Sequence, residues 1–294
     1  MLFIEPEDRI DPIIDFIRKS RKFLYINCYL IDSKDVISEI AKASKRNIDV
    51  KIIVDGRPYE NGNAKVEIAD LKKTGASVKI APSRFEEPDV FDHAKYMVSK
   101  KMFEIGTPNL TDAGFTRNRE YFIISRDRAI LKEVVKLFES DWNNKQFGKR
   151  PQNLIISPGS EDSIAKLIKQ AGNIFIETEE MGDDAVLLKI MSEKGKKLKI
   201  ILPSSISGGD LKNVDLLKKN GVSVKFMPAS DLYMHAKMIS GKREAFIGSE
   251  NFSTSSLNKN RELGIIIKRW PDKRKLRKTF LADWKIASKN IKQK

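Results

Sequence analysis

A pattern that occurs twice at one fixed offset constrains this chain more than any other feature. The first copy runs His93-Ala94-Lys95, then Gly106-Thr107-Pro108-Asn109, then Asn118-Arg119-Glu120. The second runs His235-Ala236-Lys237, Gly248-Ser249-Glu250-Asn251 and Asn260-Arg261-Glu262. Each residue of the second copy lies 142 positions after its counterpart (93 to 235, 109 to 251, 120 to 262). The chain of 294 residues holds two His, and both stand at the head of this pattern. A purely structural repeat has no need to conserve such scarce polar residues, so the repetition calls for a chemical explanation.

The flanks repeat as well. Residues 70–79 (DLKKTGASVK) match 216–225 (LLKKNGVSVK), and Phe138, Asp141 and Trp142 recur as Phe280, Asp283 and Trp284. Gly75 and Gly221 are 146 apart, which makes the loop before the first His four residues longer than its partner. In the first half, apolar spacing predicts a helix around residues 10–17, a strand over 22–30, a helix over 35–45 and a strand over 50–54. A helix over 64–73 follows, stopped by Gly75, and then a strand over 77–80. Strands over 95–98 and 102–105 form a hairpin-like pair; 109–118 reads as a polar loop, 120–125 as a strand, and 127–142 as a helix capped by Asp127. The second half repeats this order. The expected fold is α/β: two similar layered α/β/α domains with mixed sheets, related by a pseudo-two-fold axis. Their expected spans are 1–148 and 149–294, with the polar stretch 143–153 as linker.

His titrates nearest neutrality and can serve as base, acid or nucleophile. Lys95 and Lys237, two residues on, share the His face of a strand. The Gly-Ser/Thr-x-Asn box adds a hydroxyl (Thr107, Ser249) and an amide (Asn109, Asn251), both suited to an oxyanion. Glu120 and Glu262 supply carboxylates that can fix a His tautomer. Gathered at one point, these groups make a cradle for a tetrahedral phosphoryl group, the Lys ammoniums neutralising charge that many enzymes neutralise with metal. With one Cys and two distant His the chain shows no zinc-type ligand spacing, so no metal or other cofactor is expected.

The doubled HxK and GSxN boxes resemble those of the phospholipase D superfamily, the HKD family, over both halves of the chain. Two positions depart from its pattern: Lys100 and Lys242 stand where the family motif has Asp, and Thr107 stands for Ser. The resemblance implies that one His attacks phosphorus to give a phosphohistidine, while the other protonates the leaving oxygen and then activates water or an alcohol. By analogy with better-known members, His93 is the nucleophile and His235 the acid; the near-identical motifs themselves do not distinguish the two.

The formal charge of +15 favours a polyanionic partner. Lys100, Lys101, Arg117, Arg119, Lys242, Arg243, Lys259 and Arg261 lie near the motifs, and Phe115, Phe252 and Tyr233 are positioned in sequence to stack bases. The expected partner is therefore single-stranded DNA or RNA, with Thr107, Ser249, Phe115, Arg117 and Lys259 as substrate contacts and nuclease action as the expected function. Two alternatives stand beside it: a phospholipase D or phosphatidyltransferase acting on lipid, for which the Lys-rich tail 270–294 is amphipathic enough, and an inert nucleic-acid binder. The lone Cys28, an acidic N-terminus and the lack of any run near the ~20 apolar residues of a membrane span point to a cytoplasmic protein. A monomer is expected, because one chain carries both halves of the site.

Overall fold

The computed structural model describes residues 1–58, 64–148 and 151–288. Its first half contains β1 (Leu2–Glu5), α1 (Asp11–Lys19), β2 (Phe23–Cys28), α2 (Lys34–Lys45), β3 (Asp49–Val54), α3 (Ala64–Lys73) and β4 (Ser77–Ile80). Then come β5 (Lys95–Ser99), β6 (Phe103–Gly106), α4 (Asp112–Thr116), β7 (Asn118–Ser125) and α5 (Arg128–Trp142). The second half contains β8 (Leu154–Ser157), α6 (Glu161–Ile168), β9 (Ile174–Thr178), α7 (Ala185–Lys194), β10 (Leu198–Pro203), α8 (Gly208–Lys219) and β11 (Ser223–Met227). It closes with β12 (Tyr233–Met234), β13 (Lys237–Ser240), β14 (Ala245–Gly248), α9 (Thr254–Asn258), β15 (Glu262–Ile267) and α10 (Trp270–Ile286).

The two sheets share one topology. The first has the order β4-β3-β2-β5-β6-β7-β1 and the second β11-β10-β9-β13-β14-β15-β8. The strands joined by α2 and α3, and by α7 and α8, pair in parallel, and the other pairs within each half are antiparallel, so both sheets are mixed, as expected. The edge strands β1 and β8 carry no marked periodicity and went unread in the sequence. α4 and α9, five residues each, replace the expected loops and are capped by Thr111 and Ser253. Asp127 caps α5 as expected, accepting from the amides of Ala129 and Ile130. Gly75 and Gly221 both adopt φ +85°, the left-handed turn that ends the preceding helix in each half. The expected boundary at 148/149 abuts residues 149–150, which lie outside the described residues, as do 289–294 of the basic tail.

One face of the first sheet packs on α1 and α2 through Ile13, Ile17, Val36 and Ile40. The corresponding face of the second packs on α6, α7 and α8 through Ile164, Ile168, Leu187 and Val214. A third core runs between the halves and joins Tyr25, Tyr96, Phe138 and Tyr121 to Phe175, Met238, Ile247 and Phe280. Two ion pairs cross this junction in mirror fashion. The Arg119 guanidinium donates from Nε and Nη2 to the Asp283 carboxylate at 2.7 and 2.9 Å. The Arg261 guanidinium faces Asp141 from the other half, Nη2 donating at 3.0 Å with Nε 2.9 Å from the carboxylate. All four residues are buried. The expectation that Arg119 and Arg261 belong to a basic surface is therefore corrected: their planar forks are used up across the domain junction.

Removing one partner of such a pair strands a buried charge, which typically costs about 3–5 kcal/mol. Arg119→Met is expected to lower unfolding stability by about that amount in urea titrations at neutral pH. A loss below about 1 kcal/mol, the scale of an exposed pair, would show that the junction does not depend on it.

Candidate active site at the junction of the halves

The strands that carry the motifs also bring them together. β12 pairs in parallel with β7, Tyr233 opposite Asn118 and Met234 opposite Arg119. The next residues in that register are His235 and Glu120. In the other half Asp92 bridges Arg261 in parallel, and the next residues are His93 and Glu262. Each His is thus delivered to the Glu of the opposite half. His235 Nδ1 lies 2.6 Å from Glu120 and His93 Nδ1 lies 3.0 Å from Glu262. Carboxylates only accept, so each Nδ1 carries the proton and Nε2 is the ring nitrogen turned to other partners, Lys237 Nζ lying 3.3 Å from that of His235.

The Glu residues are themselves held. Thr107 Oγ1 donates to Glu120 at 2.5 Å and Asn118 Nδ2 donates at 3.1 Å. In the other half, Ser256 Oγ and Asn260 Nδ2 donate to Glu262 at 2.7 and 3.3 Å. Burial alone would raise both carboxyls, but His235 beside Glu120 and His93 beside Glu262 hold them below their ordinary values. His93 is pushed down by burial, then by the charge of Lys95, and stands neutral near pH 7 with a free lone pair. Lys95 and Lys237 each donate from Nζ to the carbonyl of their own His at 2.8 Å, which fixes both ammoniums beside the imidazoles.

His93, His235, Asn109 and Asn251 all line one cleft of about 470 Å³, together with Tyr29, Asp89, Phe91, Glu179, Glu180, Ser253, Ser255, Ser256 and Asn260. The side-chain amide oxygens of Asn109 and Asn251 are buried and have no hydrogen-bond partner among the described residues. Among the described residues, no three His, Cys, Asp or Glu side chains converge as a metal site.

The family model described as cardiolipin synthase, PLD-like domain, matches the chain twice, over residues 13–142 and 164–284. The chain belongs to the phospholipase D-like family. A cardiolipin synthase of Clostridium perfringens (strain 13 / Type A) is 21% identical, the match covering 98% of this chain and 71% of that protein. Among solved structures, a phosphatidylserine synthase of Haemophilus influenzae Rd KW20 superposes with a TM-score of 0.73 at 13% identity, covering 99% of this chain and 88% of that one. A polyphosphate kinase from Porphyromonas gingivalis gives the same TM-score, 0.73, at 13% identity; the match covers 97% of this chain and 50% of the kinase. At these identities the two structures share the fold.

In this phospholipase D-like cleft the sequence-derived residues divide. His93, His235, Asn109 and Asn251 line it, Lys95 and Lys237 stand beside its imidazoles, and Glu120 and Glu262 hold the imidazoles from behind. Thr107 is fully buried and spends its hydroxyl on Glu120; Ser249 Oγ accepts from the Leu263 amide. These hydroxyls orient the carboxylate strand and are not placed on the cleft surface. Phe115 and Phe252 are corrected as base-stacking candidates, since both are core residues with at most 2% exposure. Arg117 is exposed and is not among the residues that line the cleft, and Lys259 lines a separate cavity with Arg84, Phe85 and Phe147. Lys100 and Lys101 sit in the β5–β6 turn, at the end of β5 remote from His93. Glu179 escaped the sequence reading: it follows β9, outside the repeated boxes.

Burial, then the charge of Lys237, pushes Lys95 down to about 8. Its ammonium is lost as pH rises through that value, and with it part of the charge that holds an oxyanion. Inorganic phosphate binding, followed by calorimetry, is expected to weaken several-fold between about pH 7 and 9.5, where an unperturbed Lys stays protonated. An affinity independent of pH across that span contradicts the assignment.

Proposed function

We propose that the chain cleaves phosphodiesters through a covalent phosphohistidine, without a metal ion. The observation that carries this is the convergence of two imidazoles on one cleft, each backed by a carboxylate from the other half and flanked by a Lys. His93 Nε2, with its lone pair free, attacks phosphorus. The bond to the leaving oxygen breaks, and that oxygen takes the proton from His235. His235 then removes a proton from water or an acceptor alcohol, whose oxygen attacks phosphorus and releases His93. Lys95, Lys237, Asn109 and Asn251 hold the non-bridging oxygens as charge builds on them.

For the substrate we propose a phospholipid, with phosphatidyl transfer or hydrolysis as the reaction. The cleft surface presents Ser253, Ser255 and Asn251, hydroxyls and an amide that suit a hydroxylated headgroup better than a run of phosphates. Both halves match a family model described as cardiolipin synthase, PLD-like domain, and the C. perfringens cardiolipin synthase aligns over nearly the whole chain. The exposed face of α10 adds Trp270 and Leu281 among Arg274, Arg277 and Lys278, a combination suited to an anionic bilayer surface. Among the described residues no helix is long and apolar enough to cross a membrane. Single-stranded nucleic acid is the second reading, supported by the net charge of +15. In either case we propose a monomer working from the cytoplasm, since one chain supplies both imidazoles.

His93→Ala and His235→Ala are each expected to reduce turnover by at least about a thousandfold in EDTA, the scale on which covalent and acid–base groups act. Vesicles containing phosphatidylglycerol and a labelled single-stranded oligonucleotide, incubated in parallel, separate the two substrates. Cleavage of the oligonucleotide alone would falsify the phospholipid reading, and full activity in either His variant would overturn the mechanism.

A further inference from the structure

Two corresponding positions break the internal symmetry of the cleft. Cys28 and Thr178 pair with Lys95 and Lys237 in the same antiparallel register, so the residues that follow, Tyr29 and Glu179, occupy equivalent places. Phe91 and Tyr233, each two residues before a His, form the second unequal pair. On the first side the Tyr29 ring meets His93 edge-on at 4.8 Å, with Phe91 6.2 Å away and Lys95 Nζ 5.1 Å from the ring centroid. On the second side a carboxylate takes the place of that ring. Glu179 Oε2 accepts from Lys237 Nζ at 2.7 Å and lies 3.4 Å from His235 Nε2. The Tyr233 hydroxyl, which Phe91 lacks, donates to Glu179 Oε1 at 3.1 Å.

Both oxygens of Glu179 are therefore engaged, and by groups of one strand segment. Burial would raise this carboxyl, but His235 and Lys237 hold it far below the usual carboxylate range, so it is ionised wherever the enzyme works. Glu180 and, across the cleft, His93 and Lys95 are the other titratable groups near it. The two atoms Glu179 covers are those the phosphoryl chemistry needs: the Nε2 that must reach a leaving oxygen, and the ammonium that must neutralise a non-bridging one. Glu179 shares the surroundings of the outer nitrogen of His235 with Lys237 Nζ, 3.3 Å away, and His235 as a whole is 3% exposed although it lines the cleft.

We propose that Glu179 is a resident anion that occupies a phosphoryl-oxygen seat in the empty enzyme and is displaced by the substrate phosphate. The inference rests on the reading of this cleft as a phosphodiester site. Binding then exchanges one anion for another at Lys237 and His235, while Tyr29 leaves the His93 side open to the attacking lone pair. The exchange keeps the Lys237 ammonium compensated when no substrate is present and weakens the cleft's grip on simple anions.

The test is calorimetric titration of inorganic phosphate into wild type, Glu179→Gln and Tyr233→Phe, each first compared by circular dichroism and thermal midpoint. Glu179→Gln keeps the shape and removes the charge; phosphate is expected to bind about tenfold more tightly, as for deletion of one like charge at contact distance. Tyr233→Phe leaves the carboxylate with one fewer donor, and a gain of about twofold to threefold is expected from a hydrogen bond of ordinary strength. If Glu179→Gln does not fold, the gain in Tyr233→Phe decides. Equal or weaker phosphate binding in the folded variants overturns the proposal and reduces Glu179 to a support for Lys237, with the phosphodiester reading intact. Phosphate binding by none of the three proteins overturns both.

Discussion

The structure depends on a crossed pair of contacts: each imidazole is oriented by the carboxylate of the opposite half. His93 reaches Glu262 and His235 reaches Glu120, inside a junction where Glu120 and Glu262 have no exposed surface. In so dry a setting a hydrogen bond between a ring nitrogen and a carboxylate is strong, and leaving either group unpaired is costly. The two halves are therefore held in one relative placement by the same contacts that prepare the chemistry. The parallel register of β12 on β7, matched by Asp92 against Arg261, delivers those contacts. The Arg119–Asp283 and Arg261–Asp141 pairs lie one step away along the same strands and keep the register.

This arrangement gives a duplicated chain the geometry of a symmetric dimer with the partner covalently attached. Neither half could build a working imidazole by itself, because the residue that fixes its tautomer is supplied from the far side. It also gives the Gly-Ser/Thr-x-Asn box a divided purpose. The Thr107 and Ser249 hydroxyls stabilise the carboxylate strand from behind, while the Asn109 and Asn251 amides remain on the cleft surface.

Much of this was legible in the sequence because the offset of 142 survives wherever strand and hairpin lengths cannot change without breaking a sheet. That offset singled out both His, both Lys, both Asn and both Glu, which the fold gathers at one junction, and it carried the α/β duplication with them. Charge type, by contrast, says nothing of burial: Arg119 and Arg261 read as basic surface and prove to be sealed between the sheets. Phe115 and Phe252 could be offered as stacking rings although core packing is the commoner place for such a residue, and the core claimed them. The edge strands LFIE and LIIS and the five-residue helices α4 and α9 are too short for any period to show. Glu179 was invisible for a different reason. It stands 150 positions after Tyr29, where the offset has changed, and its counterpart is a residue of another kind.

A cradle with perfect two-fold symmetry would accept a phosphodiester either way round. Here an aromatic ring guards one end and a carboxylate held by Tyr233, Lys237 and His235 guards the other. The two ester arms of a bound molecule thus meet different neighbours, and duplication followed by divergence at two pairs of positions gives the cleft a direction.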